Sequence, residues 1–96
     1  MNKLYKQLLK EFKSQYKLSV YNALILENAG KNFSITAAEK DQFHKDYLLH
    51  CYTLGALQRI LTTSKVLNNI LPAVRAAAAE NGKAMYNNYL IGKKEV

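Results

Sequence analysis

Residues 3–17 read KLYKQLLKEFKSQYK, and two interleaved rows within them set the fold class. Leu4, Tyr5, Leu8, Leu9, Phe12 and Tyr16 recur at steps of three and four residues. That is the period of a helix buried along one side. Lys3, Lys6, Lys10, Lys13 and Lys17 follow the same period and form a stripe of their own, with Glu11 the single acid among them. Such patterning recurs along the chain, whereas the alternating β-branched runs that mark strands are scarce. The expected class is all-α.

Working outward, SVYNALILENAG (19–30) predicts a second helical segment, with Ser19 as its cap and Gly30 as its left-handed stop. KNFSI (31–35) is a connector whose Phe33 and Ile35 are expected to tuck against the helices. TAAE (36–39) has the spacing of a capping box. From there Phe43, Tyr47, Cys51, Leu54, Leu57 and Leu61 hold one helical stripe. Continued to Leu71, this third helix would be about 50 Å long, more than two short helices can cover. Asn68, Asn69 and Pro72 predict a break near 68–72, and Gly82 a stop after the helix-prone AVRAAAAE run. The expected organisation is a three-helix antiparallel bundle over residues 1–71 with a long third helix, followed by a helical extension and tail over 72–96. That tail has little of its own to pack on, and is expected to lie on a partner.

Composition narrows the function classes. The formal charge is +7 in 96 residues, and only Arg59 and Arg75 among the cations are arginine. Reading base edges and gripping phosphate with two parallel hydrogen bonds favour arginine, so a lysine-rich surface better suits an acidic partner or anionic lipid. A small basic nucleic-acid-binding helical module is the alternative, and it predicts affinity that falls steeply with salt. Cys51 is the single cysteine, which excludes an internal disulfide. No run reaches the roughly 18 apolar residues of a membrane span.

Catalytic and metal chemistry find little to work with. His50 and Cys51 are helical neighbours that point about 100° apart, and His44 with Cys51 supplies only two ligands. Asp41 with His44, and Asp46 with His50, sit at helical-neighbour spacing but lack a nucleophile, a glycine-rich loop or a carboxylate pair. A non-enzyme with no metal and no cofactor of its own is expected.

Two stretches carry a family resemblance. LYKQLLKEF (4–12) is similar to the opening of the mitochondrial LYR-motif family, with Leu4, Tyr5 and Lys6 on the leucine-tyrosine-arginine triplet. SITAAEKDQFHKDYLLHCYTLGALQRI (34–60) resembles the third helix of the subgroup called formation of mitochondrial complexes factor 1, with Tyr52, Leu57, Arg59 and Ile60 in its pattern. YNALILENAG (21–30) fits the middle helix, so the resemblance spans roughly residues 4–67. It implies a three-helix adaptor without catalysis, in the mitochondrial matrix or on the matrix side of the inner membrane. Such an adaptor would be an assembly factor or accessory subunit of a large complex, ATP synthase first, with respiratory complex I or the mitochondrial ribosome as alternatives. Many relatives bind acyl carrier protein, whose acyl-phosphopantetheine enters between the helices. Lys6 in place of arginine and the lack of an arginine-rich middle helix depart from that pattern, so docking without the carrier is preferred.

The expected division of labour follows. Leu4, Tyr5, Leu8, Leu9 and Phe12 pack on Phe43, Tyr47, Cys51, Leu54 and Leu61. Partner binding falls to Lys3, Lys6, Lys10, Lys13 and Lys17, with Leu4, Tyr5 and Arg59 beside them.

Overall fold

A computed structural model describes residues 3–94, so Met1, Asn2 and the last two residues of the expected tail, Glu95 and Val96, lie outside it. The described chain is an all-α bundle of three helices, α1 (Lys3–Asn28), α2 (Ala37–Leu61) and α3 (Lys65–Lys94). It is elongated, with principal extents of 46 × 21 × 19 Å.

The first two expected segments are one helix. Nothing between Lys17 and Tyr21 breaks the backbone ladder, and Ser19 does not act as a cap. Its hydroxyl instead donates back to the Tyr16 carbonyl at 2.7 Å, so the side chain is satisfied within the helix. Gly30 does end the segment as expected, at φ +85°, a conformation that costs a side chain strain. Its N–H donates to the Phe33 carbonyl at 2.7 Å, while the Asn28 carbonyl accepts from Lys31 and Asn32.

The capping box at Thr36 starts α2. Glu39 N–H donates to Thr36 Oγ1 at 3.1 Å, and Thr36 N–H donates to Glu39 Oε1 at 3.0 Å. The Thr36 N–H bond to the carboxylate, followed by side-chain hydrogen bonding from Thr36, holds the Glu39 pKa below its usual value.

The chain turns at Thr62–Ser64, not at Pro72. Three successive hydroxyl side chains compete there with the helical ladder. Thr62 Oγ1 donates to the Gln58 carbonyl at 2.8 Å and Thr63 Oγ1 to Ile60 at 2.6 Å. Ser64 then opens α3, its carbonyl accepting from Asn68 N–H and its hydroxyl from Leu67 N–H. The expected helix over 36–71 is therefore two helices, and the boundary drawn at 71/72 falls inside α3. Pro72 leaves the Asn68 carbonyl without its helical donor, but both residues are exposed, so water can satisfy it.

Packing runs through α1. It lies along both α2 and α3, whereas α2 and α3 meet chiefly at their ends. At the turn end, Phe12, Leu57, Leu61, Leu67 and Leu71 form the buried core, with Tyr5, Leu8, Leu9 and Leu54 against it. At the loop end, Tyr89 packs edge-on to Phe33 (5.3 Å between centroids), Tyr21 (6.1 Å) and Phe43 (6.1 Å). Between these clusters α3 crosses α1 at Gly82, which is buried rather than a stop. A Cβ built there would lie 2.7 Å from the Lys17 carbonyl oxygen and 2.9 Å from Val20 Cβ. The described part of the expected tail is thus the last three turns of α3, and its Tyr86 is buried within this chain.

Candidate partner-binding surface

The five α1 lysines stay together on one arc. At about 100° per residue they cover roughly 80° of the helix, opposite the Leu8–Phe12–Ser19 side that enters the core. Lys3, Lys6, Lys10 and Lys13 are exposed, and Lys17 is half-buried beneath the crossing with α3. Among the described residues the ion pairs are Lys45–Asp41 at 3.0 Å and Lys83–Glu80 at 3.3 Å, and none of the five joins one. The row is an uncompensated line of charge.

Tyr5 is half-buried, and its hydroxyl lies 3.4 Å from Thr63 Oγ1, which ties the start of α1 to the α2–α3 turn. Arg59 is exposed in the last turn of α2, where its charge complements the helix dipole, and the same contact places it at the Lys3–Lys6 end. Leu4 was expected to pack inward but is 62% exposed, because it lies about 80° from Phe12 around the helix.

Cys51 also departs from expectation. It is exposed, while Leu54, Leu57 and Leu61 of the same stripe do pack in the core. Side-chain hydrogen bonding with Cys51, then charge from it and burial, raise the pKa of its neighbour Tyr47. His50 bridges α2 to α1, donating from Nδ1 to Gln15 Oε1, while Gln15 Nε2 donates to Glu11 at 2.8 Å. The residue is thus held by α1, pointing away from Cys51's exposed side. Among the described residues no three His, Cys, Asp or Glu side chains converge as a metal set.

Two further features escaped sequence reasoning. The first is a second apolar face on α2, where Leu48 (47%), Leu49 (63%) and Tyr52 (79%) are exposed. Its signal was legible: Leu48 and Tyr52 fall opposite the Leu57–Leu61 seam at helical spacing. The second is a cleft of about 690 Å³ at the loop end, bordered by Lys31, Phe33, Ser34, Lys93 and Lys94. It forms only because the loop after α1 and the end of α3 meet, a pairing no local pattern announces.

Comparison with protein-family models, with curated proteins and with solved structures returns no match. The described residues define a class: a three-helix all-α bundle whose central helix carries a cationic row that joins no ion pair among them. No helix of the described chain is long and apolar enough to cross a membrane.

Proposed function

We propose that this chain is a non-catalytic helical adaptor of the LYR type, an accessory subunit or assembly factor on the matrix side of the mitochondrial inner membrane. ATP synthase is the leading parent complex. The observation that carries the reading is the row Lys3, Lys6, Lys10, Lys13 and Lys17, which joins no ion pair among the described residues and is exposed from Lys3 to Lys13. A line of like charge opposes itself, and is relieved when an acidic surface lies along it. The exposed Leu48–Leu49–Tyr52 face of α2 supplies apolar area for the same kind of contact.

Docking through outer faces is favoured over uptake of an acyl chain from a carrier protein. Phe12, Leu61, Leu67 and Leu71, each at most 1% exposed, fill the seam between the helices at the turn end. Affinity capture of the full chain from mitochondria at moderate salt tests the proposal. It expects recovery of inner-membrane complex subunits, lost in the K10E/K13E/K17E variant. Recovery of a carrier with an acyl-phosphopantetheine mass would shift the reading to the carrier-binding alternative. Salt-steep binding to nucleic-acid duplexes, with no protein recovered, would overturn it.

A further inference from the structure

The charge of this chain is concentrated at one end of the bundle. Residues 3–10 and 55–75, which form the turn end, hold six cations (Lys3, Lys6, Lys10, Arg59, Lys65, Arg75) and no acid. The rest of the chain holds eight cations against all seven acids, and is nearly neutral. The same end exposes apolar side chains: Leu4 at 62%, Ile60 at 46% and Val66 at 67%. Ile60 and Val66 flank the Thr62–Ser64 turn, and the Tyr5–Thr63 contact brings the start of α1 beside them. Arg75 is drawn inward over the Phe12 ring at 5.9 Å, so Lys3, Lys6, Arg59 and Lys65 are the cations at the tip itself.

We infer that this tip docks on an anionic phospholipid surface, the basic side chains meeting headgroups while Ile60 and Val66 enter the interfacial layer. The shape of the tip selects a bilayer over a protein. A cross-section of 21 × 19 Å gives an end face of roughly 300–400 Å², against about 800 Å² per partner in a stable protein interface. The exposed apolar side chains there are few and separate, and do not form one broad face. A fluid headgroup layer needs no such face, since it closes around the side chains that enter it. Basic residues ringing a few apolar ones form the composition of an interfacial anchor. In this orientation the 46 Å axis stands away from the membrane and Lys10, Lys13 and Lys17 remain open; Lys3, Lys6 and Arg59 are shared with the proposed partner surface, and a vesicle assay without any protein partner reads the lipid contact alone.

The test is co-sedimentation of the full chain with vesicles of phosphatidylcholine alone and of equal parts phosphatidylcholine and phosphatidylglycerol. Binding is expected only to the anionic vesicles. Each basic residue near such a surface is worth about fivefold in partitioning, so K3E/K6E/R59E/K65E should lower it by at least about a hundredfold. The I60S/V66S variant should lower it about tenfold while leaving the salt dependence unchanged. The K31E/K93E/K94E variant, altered at the loop end, should retain binding, with helical content checked for all variants by circular dichroism. The proposal is overturned if the wild-type chain ignores anionic vesicles, or if the loop-end variant loses as much as the tip variant. Preference of the tip for soluble polyglutamate over vesicles would also overturn it, and would assign the tip to an acidic polypeptide.

Discussion

Gly82 offers the sharpest test of how α1 and α3 are held together, because Gly55 serves as its internal control. Both glycines lie inside helices, and replacing either by alanine gains about 0.8–1.0 kcal/mol of helix propensity. At Gly55 a new Cβ meets nothing within 4 Å, so G55A should show that gain undiminished. At Gly82 the Cβ would sit 2.7 Å from a backbone oxygen and 2.9 Å from Val20 Cβ, neither of which is the free end of a flexible chain. One helix must then shift against the other, an overpacking cost of about 1–3 kcal/mol. Because propensity enters both variants equally, the difference between them isolates the steric term. G82A should therefore be less stable than G55A by about 1–3 kcal/mol, read as the difference in urea midpoints at a common slope. By thermal melting this corresponds to roughly 4–8 °C per kcal/mol for a domain of this size. Equal stabilisation by the two substitutions would refute the close crossing, and with it the placement of the last turns of α3.

Other perturbations probe separate parts of the bundle. Leu67→Ala, at a position 1% exposed, should cost about 2–5 kcal/mol in denaturant titration, where an exposed Val66→Ala costs little. Thr36→Ala removes one half of the capping box and should cost about 1 kcal/mol by the same assay. The Tyr86 and Tyr89 hydroxyls are buried with no hydrogen-bond partner among the described residues, so Y86F and Y89F should leave the melting temperature unchanged or raise it. Burial, assisted by the nearby Tyr89, pushes the Tyr21 phenol above its usual value of 10.0. Below that pH the phenol is neutral in both the folded and unfolded chain, and its contribution is complete. Above it the unfolded chain ionises first, so stability declines as pH rises towards the folded value, and melting of Tyr21→Phe in that window should fall less steeply.

The helical class, the Thr36 capping box and the Gly30 stop were all legible in the sequence, since each depends on residues within a few positions of one another. The lysine row was legible for the same reason, and its lack of ion pairs follows from the shortage of acids nearby. The turn at Thr62–Ser64 was hidden because the apolar period runs through it. Leu57, Leu61, Leu67 and Leu71 all face one core, so a tight turn between two antiparallel helices preserves the stripe that a single helix would show. Pro72 misled because local chemistry cannot say whether an orphaned carbonyl faces solvent. Gly82 misled because the absence of a side chain serves equally to end a helix and to let another approach, and only the partner's position decides.

The extent of the lysine row has a physical cause in this arrangement. α1 is the helix that both others pack on, so two sides of its circumference are committed. Up to Lys17 those sides are the Leu8–Phe12 arc, where α2 and the first half of α3 gather around one core, and the opposite arc is free for lysine. Beyond Lys17, α3 has crossed onto that opposite arc. Continuing the row at the same spacing gives Val20 and Leu24, and Val20 is the residue Gly82 approaches. Lysine at position 20 would place an ammonium stem where α3 comes within touching distance, so the switch from cation to aliphatic marks the crossing point. Val20→Lys should accordingly loosen the loop end of the bundle, seen as faster amide exchange over Tyr86–Leu90, while protection around Leu61 and Leu67 persists. Uniform protection across α3 in that variant would show that the row ends at Lys17 for a reason other than packing.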